Sequence, residues 1–422
     1  MLQHPLFYTL KNLKGNTKAC VLTEPMWGIP FNLIFPYASV YMLALGVNDA
    51  QIGLITSLGL GFQTVFALLS GAITDKFGRR LTTFISDILS WGVAALIWAV
   101  AQDIRYFIFA AIINATWRIP ANSWTCLLVE DTEDDLLVHV WTWIYIAGLL
   151  SAFFAPLAGI LIQAIDLVPA VRILYWFAFI SMVSKAWILF YFSTETQQGK
   201  IRMEETRNQP FISLLGGYRG VLKELLHTPK TLVVIGIMLV MSITMTVNST
   251  FWSIIVTQRL MIPEEHIAIY PFAKSALLLI LYFVLVPRLN LRRFRNPMLI
   301  GYGGYIFSSV LLVTMPPGNY WLVLLSVLIE AFSMAMFRPL MDSLVIVSID
   351  KRERARINAI MAMVVLILSS PFGWVAGELS AMNRVLPFIF NILLYVLGSV
   401  LVTWAWKLAK RDRTPSVEAA VT

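Results

Sequence analysis

The sequence has few charged residues and few cysteines. Asp, Glu, Lys and Arg together make up 13% of the 422 residues, about half of the roughly 25% found in soluble domains. Such a small charged fraction excludes a water-soluble enzyme with a polar surface. The two cysteines, Cys20 and Cys126, exclude a disulfide scaffold and a cysteine-rich metal site.

Motifs for catalysis and for metal binding are also missing from the sequence. It contains no Gly-x4-Gly-Lys-Ser/Thr phosphate loop, no His-Glu-x-x-His and no Gly-x-Ser-x-Gly. The four histidines all lie outside the middle of the apolar segments, so a histidine proton relay is not expected. We therefore expect neither an enzyme nor an ATP-driven machine, and we predict no cofactor and no metal site.

Apolar residues dominate the sequence and occur in long runs. They form 58% of the chain, and the mean hydropathy is +0.75. About 20 apolar residues cross a bilayer as one helix, so the composition provides for about twelve such helices. These segments, numbered here as spans 1 to 12, lie at residues 21–46, 52–74, 82–101, 106–128, 140–163, 170–193, 231–256, 267–287, 298–315, 320–346, 357–380 and 386–406.

One connection between spans is much longer than the others. Residues 194–230 are polar and charged, and they separate two sets of six spans. We therefore predict an N-terminal six-helix bundle at residues 1–193, a cytoplasmic linker at 194–230, and a C-terminal bundle with a short tail at 231–422. Within the linker, the amphipathic spacing over Phe211–Leu226 predicts a helix on the membrane surface, and a partner-binding helix is the alternative.

The positive charges are distributed unevenly between the two sides of the predicted membrane domain. Of the 32 Lys and Arg residues, 24 lie in termini and loops on one side, four in loops on the other side and four within spans. Because basic loops stay in the cytoplasm, we predict cytoplasmic N- and C-termini in a multi-pass protein of the plasma membrane. This orientation accounts for the net charge of +8, so no nucleic-acid partner is expected. The first apolar run is too long for a cleavable signal peptide and predicts a retained anchor.

An acidic loop between spans 4 and 5 departs from this pattern of basic loops. We expect its carboxylates to form salt bridges with basic loops nearby, such as the one that contains Arg292, Arg293 and Arg295. Acidic residues carry little weight in membrane topology, so the predicted orientation is unchanged. The acidic residues of this loop are Glu130, Asp131, Glu133, Asp134 and Asp135.

The two halves of the chain contain similar short segments. Residues 118–123 (RIPANS) and 338–343 (RPLMDS) match at an offset of 220, arginine to arginine and serine to serine. One span later, residues 151–161 and 369–379 share serine, alanine, glycine and leucine at an offset of 218. Internal repeats are common in transporters, so these matches predict a parallel duplication of a six-helix unit.

The loop between spans 2 and 3 carries the most specific motif. Residues 71–80 read GAITDKFGRR. This closely resembles the signature loop of the major facilitator superfamily, which has a glycine, an aspartate, a basic residue, a second glycine and a basic pair between its second and third helices. The resemblance implies an all-α polytopic membrane protein with 12 transmembrane helices in two pseudo-symmetric six-helix bundles.

The same resemblance implies an inner gate. In the family this loop latches the cytoplasmic side in the outward-open state, and we assign that role to Asp75, Arg79 and Arg80. Gly71 is expected to permit close helix approach and Gly78 a tight turn. The alternative, simple anchoring by positive charge, explains the two arginines but not Asp75 with two spaced glycines.

Two further signatures of the family are incomplete. Arg118 stands in span 4 where the family often has an arginine followed by a glutamine-glycine pair, but Ala121 and Asn122 replace that pair here. In span 5, residues 155–159 (APLAG) resemble the glycine-proline motif of antiporters, with other residues in place of the expected glycines. The motif therefore leaves antiport open. Gly53 and its neighbours in span 2 are expected to permit close packing.

Charged residues within the spans indicate a substrate site, because a charge in hydrocarbon costs about 2.5–3.5 kcal/mol unless it lines a cavity or is paired. In the family, spans 1, 4, 7 and 10 line a central cavity, so the resemblance places Arg118 and Arg338 opposite each other across it. Their guanidinium groups would hold an anionic or strongly hydrogen-bonding substrate. The alternative for Arg338 is an ion pair with Asp342. The predicted cavity residues are Arg118, Asn122, Arg338, Asp342, Asn32, Tyr37 and Asn248.

Two carboxylates in span 10 are candidates for proton coupling. Glu330 lies two turns before Arg338, and Asp342 lies one turn after it. A carboxylate at such depth is able to carry a proton across the transport cycle, whereas a structural pair with Lys274 is the alternative for Glu330. Three other charges lie within about two turns of a helix end, where long side chains reach the interface. These are Asp87, Lys185 and Glu378.

Together these features predict a secondary active transporter that works by alternating access as a monomer in the lipid bilayer. Proton-coupled export of an amphipathic small molecule, as in drug exporters, is the first expectation. Proton-coupled uptake of a polar or anionic metabolite is the second, because of the two arginines. A glycolipid flippase and a non-transporting receptor on the same fold are the remaining alternatives.

Overall fold

The computed structural model describes residues 5–133, 136–211, 229–289, 294–347 and 354–411, and its regular elements there are all helices. Long helices occupy all twelve predicted spans. In span order they cover 15–44, Asp49–Phe77, Arg79–Ala99, 104–129, Leu137–Ile165, Leu167–Phe192, Pro229–Gln258, Glu264–Arg288, Arg295–Thr314, Tyr320–Val347, 354–382 and Leu386–Arg411. Short helices at Pro5–Asn12 and Gln197–Thr206 precede span 1 and follow span 6. The amphipathic helix predicted over residues 211–226 lies outside the described residues, apart from Phe211.

Ten of the twelve helices are long and apolar enough to cross a membrane, and the other two, spans 1 and 4, are interrupted. Span 1 consists of Gly15–Ile34, a 3-10 turn at Phe35–Tyr37 and a final helix at Ala38–Ala44. Proline lacks the N–H that an α-helix needs, and Pro36 occupies the turn. Span 4 is broken between Ile104–Ala115 and Arg118–Val129.

The connections between spans lie on two faces of the molecule. The Asp75 face contains the start of span 1 and the connections from span 2 to 3, 4 to 5 and 6 to 7. The Asn16 amide nitrogen donates there to Asp131 at 3.3 Å and to the Thr194 carbonyl at 3.0 Å. The opposite face, here called the Gly53 face, contains the connections from span 1 to 2 and from span 3 to 4. The Tyr41 hydroxyl donates to the Trp98 carbonyl at 3.0 Å on that side.

The two halves of the chain share an extensive hydrophobic core at the Gly53 face, and elsewhere Leu149 of span 5 packs against a small cluster around Leu278 of span 8. Near the Gly53 face, one buried cluster contains residues of both halves, including Tyr37 from the first half and Phe251 from the second. Toward the Asp75 face, the described residues form separate clusters, around Leu127 in the first half and around Met361 in the second. The halves are therefore closed against each other at the Gly53 face and have separate cores toward the Asp75 face.

Candidate functional site

Arg118 opens the second half of the broken span 4. Its Nε donates to the Gln63 side chain of span 2 at 3.1 Å, and its guanidinium carbon lies 4.2 Å from the centre of the Trp117 ring. Among the described residues, no carboxylate oxygen lies within 4.0 Å of this half-buried guanidinium. The neutral amide and the aromatic ring hold the side chain in place without neutralising its charge.

Arg338 lies at the matching position of span 10. Its side chain is exposed, as is that of Asp342 one turn later. Within the ranges that the structure describes, the ion pair considered for these two residues does not form within 4.0 Å, although the two charges lie close enough to interact electrostatically. Arg338 therefore makes no direct ion pair among the described residues, and Asp342 acts on its charge from a longer distance.

Three other predicted cavity residues have local roles. The Asn122 side chain donates to the Thr74 hydroxyl of span 2 at 3.2 Å, and the Asn32 side chain donates to the Gly28 carbonyl one turn earlier at 2.8 Å. Tyr37 is 0% exposed and lies against Gly159, in the region where the two halves are closed. In this conformation Tyr37 is thus part of the closed seam and not of an open cavity.

Glu330 and Asn248 belong to a polar network inside the second half. The Lys274 ammonium lies 2.8 Å from the Glu330 carboxylate, which also accepts from the Asn248 amide at 3.5 Å. Asn391 donates to Asn248 at 3.1 Å and links span 12 to the network. A cavity just large enough for about one water molecule adjoins it. Its lining includes Asn248, Tyr305, Ser308, Ser326, Glu330 and Tyr395.

The signature loop forms a buried ionic cluster on the Asp75 face. The Arg79 guanidinium donates to both carboxylate oxygens of Glu130 at 3.0–3.1 Å and to Asp75 at 3.1 Å, and Arg79 is 4% exposed. The salt bridge expected between the acidic loop and a nearby basic loop forms for Glu130, and its partner is Arg79 of the loop between spans 2 and 3. Arg295 instead stacks over the Trp406 ring at 4.8 Å, and Arg292 and Arg293 lie outside the described residues.

Glycine is required at one of the two glycine positions of this loop. Gly78 has φ +82°, and an added Cβ would lie 2.5 Å from the Glu195 carboxylate. That carboxylate accepts from the backbone N–H groups of Arg79 and Arg80 at 2.9 and 3.0 Å and caps the start of span 3. Gly71 does not make the close helix approach expected of it, because a Cβ there would meet no atom within 4 Å.

The short helix Gln197–Thr206 binds the other side of Asp75. The Arg202 guanidinium donates to the second Asp75 oxygen at 2.8 Å, and this contact raises the pKa of Arg202 above its usual value. The Thr206 hydroxyl donates to the Asp75 backbone carbonyl at 3.1 Å. Asp75 is therefore held by Arg79 of span 3 and by Arg202 of the segment that follows span 6. The second contact was not predictable from the sequence, since these residues are 127 positions apart.

The seam at the Gly53 face is built from glycines of both halves. A Cβ on Gly53 of span 2 would lie 2.5 Å from the Gly373 carbonyl oxygen and 2.6 Å from the Gly377 Cα of span 11. The Trp374 N–H donates to the Ser57 hydroxyl at 2.6 Å beside this contact. The Gly53 face is thus closed by direct contact between the backbones of two helices.

Two charges that were set aside as interfacial are buried. Asp87 and Lys185 face each other at 3.5 Å, and the exposed fraction of each side chain is 8%. Glu24 of span 1 lies close enough to interact electrostatically with both, and the sequence analysis overlooked it. The position of Glu24, nine residues into an apolar helix, is the sequence feature that could have identified it. Glu378, by contrast, accepts from the Trp374 indole at 3.0 Å on an exposed surface.

The described residues contain no group of three or more His, Cys, Asp or Glu side chains arranged to hold a metal ion. Long helices at all twelve predicted spans, ten of them long and apolar enough to cross a membrane, define a polytopic, all-helical membrane protein. The family model of the Major Facilitator Superfamily matches residues 27–373. The chain belongs to this superfamily.

Several solved transporters have a similar fold. The nucleoside transporter NupG matches with a TM-score of 0.69 and 13% identity over 93% of this chain and 98% of that chain. A second match is a bacterial homologue of the human lysosomal transporter Spinster in an inward-facing and unoccupied conformation. Its TM-score is 0.69, with 15% identity over 98% of this chain and 100% of that chain. The POT family transporter PepTSo matches with a TM-score of 0.70 and 12% identity over 94% of this chain and 99% of that chain. At these identities the likeness shows the fold alone. A search of curated proteins found no match.

Proposed function

We propose that the protein is a secondary active transporter for a small organic anion. The observation that carries this proposal is the pair of arginines, Arg118 and Arg338, whose charges have no carboxylate partner within 4.0 Å among the described residues. An unpaired charge in a membrane-spanning helix is unfavourable by about 2.5–3.5 kcal/mol on insertion scales. A carboxylate or phosphate group would relieve that cost through paired hydrogen bonds with the guanidinium fork.

This charge balance supports one of the two transport reactions that the sequence leaves open. Export of an uncharged amphipathic molecule would bring no counter-charge to either guanidinium group. Uptake or exchange of an anionic metabolite would neutralise them when substrate binds. The two arginines therefore favour the anionic substrate, and we place it between span 4 and span 10.

The core arrangement supports alternating access. The halves share a buried cluster at the Gly53 face and have separate cores toward the Asp75 face. The positive-inside pattern assigns the Asp75 face to the cytoplasm, so we interpret the structure as an inward-open state in the plasma membrane. The outward-open state would separate the shared cluster and bring the two other cores together.

Glu330 is the residue to which we assign proton coupling. It is paired with Lys274 at 2.8 Å in this conformation, and it lies beside a cavity of about one water molecule. Movement of Lys274 away from Glu330 would leave the Glu330 carboxylate in hydrocarbon without a partner. This environment favours the protonated form of Glu330. Asp342 is the second candidate, because it is exposed near Arg338.

A thermal-shift experiment tests the anionic substrate. Purified full-length protein would be screened against mono-, di- and tricarboxylates and sugar phosphates, each beside its amide or its neutral parent compound. We expect an anion to raise the unfolding temperature of the wild type, and Arg118→Gln to abolish that rise. Arg105→Gln is the matched control, because this arginine is 85% exposed and already paired with Asp103. Stabilisation by uncharged amphipathic compounds that persists in Arg118→Gln would overturn the proposal.

Transport in proteoliposomes then gives the direction and the coupling ion. The anion identified by thermal shift would be added outside with an imposed pH gradient, and its accumulation would be followed with a radiolabel. Accumulation that follows an inwardly directed proton gradient supports cotransport of anion and proton. Saturable binding without flux under either gradient would indicate a receptor and contradict transport.

A further inference from the structure

Three charged side chains meet inside the first half of the protein, away from Arg118 and Glu330. Lys185 of span 6 lies 3.5 Å from Asp87 of span 3, and both side chains are 8% exposed. Glu24 of span 1 lies close enough to interact electrostatically with both, but within the described ranges it forms no hydrogen bond and no ion pair. Cys20, one turn before Glu24, is 0% exposed and is the other titratable group that faces the lysine.

Span 4 supplies no further charge to this cluster. The residue that it contributes is Trp124, whose ring centre lies 5.8 Å from the Lys185 ammonium. Its indole nitrogen is buried and has no hydrogen-bond acceptor in the part of the chain that the structure describes. Span 4 therefore brings no charge to the cluster, and Lys185 is the cation that faces both carboxylates.

The charges of this cluster do not cancel when all three groups are ionised. Two carboxylates and one ammonium leave one net negative charge. A net charge without a partner is strongly unfavourable in a site shielded from water. One added proton makes the cluster neutral. Because the three groups are coupled, that proton belongs to the cluster and not to one carboxylate.

A narrow cavity leads from this cluster toward the Asp75 face. It is lined by Asp87 at one end and by Arg80 and Ser193 at the other, where span 3 begins and span 6 ends. Ser193 is 2% exposed, yet its hydroxyl has no hydrogen-bond partner among the described residues. A buried hydroxyl without a partner is unfavourable, so this group indicates a hydrogen-bond partner that is present only part of the time.

The size of the cavity limits which species can enter it. The space between these side chains is too narrow to hold a water molecule in this conformation. An organic substrate or a hydrated metal ion does not fit. A proton needs no permanent cavity, because it moves along hydrogen-bonding groups and water molecules that enter only transiently. The hydroxyl of Thr83 also lines this cavity, and it is hydrogen bonded to Ser123 at 2.7 Å.

We propose that Glu24, Asp87 and Lys185 form a proton-binding site that exchanges one proton with the Asp75 face through the cavity at Ser193. The site is distinct from Glu330, which lies in the other half of the protein. Its use in a transport cycle rests on the proposed function, whereas the binding of the proton does not. The two ideas can therefore fail separately.

Infrared spectroscopy on the full-length protein in lipid nanodiscs, without substrate, tests the charge balance. The number of protonated carboxyl groups would be measured near neutral pH from their C=O stretching band. We expect Glu24→Gln and Asp87→Asn each to lose one protonated carboxyl relative to the wild type, because one carboxylate then balances the lysine. Lys185→Met should gain one, because both carboxyls must then be neutral. Lys185→Arg keeps the charge and should leave the band unchanged.

Glu378→Gln is the matched control, since that carboxylate is exposed and bonded to Trp374. Thermal unfolding would verify that each variant is folded, and Lys185→Gln replaces Lys185→Met if the latter unfolds. Bands that are identical in the wild type, Glu24→Gln and Asp87→Asn would show a purely structural ion cluster and overturn the proposal. A band that sodium ions diminish at constant pH would also overturn it, in favour of a cation site. Loss of anion binding in Arg118→Gln is measured separately and does not bear on this result.

Discussion

A single methyl group at Gly53 should shift the balance between the two open states. The Cβ of Gly53→Ala would lie 2.5 Å from the Gly373 carbonyl oxygen and 2.6 Å from the Gly377 Cα. Both atoms belong to the backbone of span 11 and cannot rotate away. Because nonbonded atoms prefer separations of about 3.5–4.0 Å, spans 2 and 11 must move apart by about 1 Å. These spans come from different halves, so the strain exists only while the Gly53 face is closed.

The size of this strain gives the expected population change. Overpacking of one methyl group costs about 1–3 kcal/mol, which corresponds to a change of about 5- to 150-fold in the ratio of the two states. Gly61→Ala on the same helix is the matched control, because a Cβ there would meet no atom within 4 Å. The substitution is chemically identical, and only its position relative to the seam differs.

Electron paramagnetic resonance distance measurements would detect the change. Spin labels at Gln102→Cys and Met382→Cys, in a background without Cys20 and Cys126, report the separation of the two halves at the Gly53 face. We expect a new, longer distance in Gly53→Ala and an unchanged distribution in Gly61→Ala. Equal distributions in the two variants would refute the claim that this glycine contact holds the face closed.

Three further predictions concern the ionic contacts. Arg79→Ala leaves the carboxylates of Glu130 and Asp75 without their buried partner and should destabilise the fold by about 3–5 kcal/mol, seen as a lower unfolding temperature; an unchanged temperature would contradict the pairing. Asp75→Asn should abolish flux in proteoliposomes while substrate binding stays nearly intact, and normal flux would contradict the gate. Glu330→Gln should retain substrate exchange but lose accumulation driven by a pH gradient, and intact accumulation would remove Glu330 from coupling.

The helices could be predicted from the sequence because each apolar run is long enough to span a bilayer and ends at polar residues. Span 2 was predicted at residues 52–74, and the helix covers Asp49–Phe77. The extension at its start comes from a capping box, in which Asn48 and Gln51 bond each other's backbone N–H. Hydropathy does not detect such hydrogen bonds, so the ends differ by a few residues while the helix itself is found.

The partners of charged side chains could not be predicted in the same way. Lys185 lies seven residues before the end of span 6, a place where lysine commonly reaches the interface. The structure turns it inward, because spans 1, 3 and 6 pack around it and Asp87 stands opposite. Glu130 similarly binds Arg79 of its own half. Which face of a helix packs against which neighbour depends on contacts between residues far apart in the chain, and a single sequence gives no measure of them.

The positions of the ion pairs indicate how the two states are balanced. Across the described ranges, Arg79–Glu130 and Lys185–Asp87 lie within the first half and Lys274–Glu330 within the second. Asp49–Arg384, at 3.4 Å on the Gly53 face, is the ion pair there that joins the halves. A partly exposed pair of this kind is worth at most about 1 kcal/mol, so glycine contacts and the shared apolar cluster must hold the face closed. Rocking of the halves would then leave Arg79–Glu130 and Lys185–Asp87 intact and change their access to water, which is the condition under which a buried carboxylate gains or loses a proton.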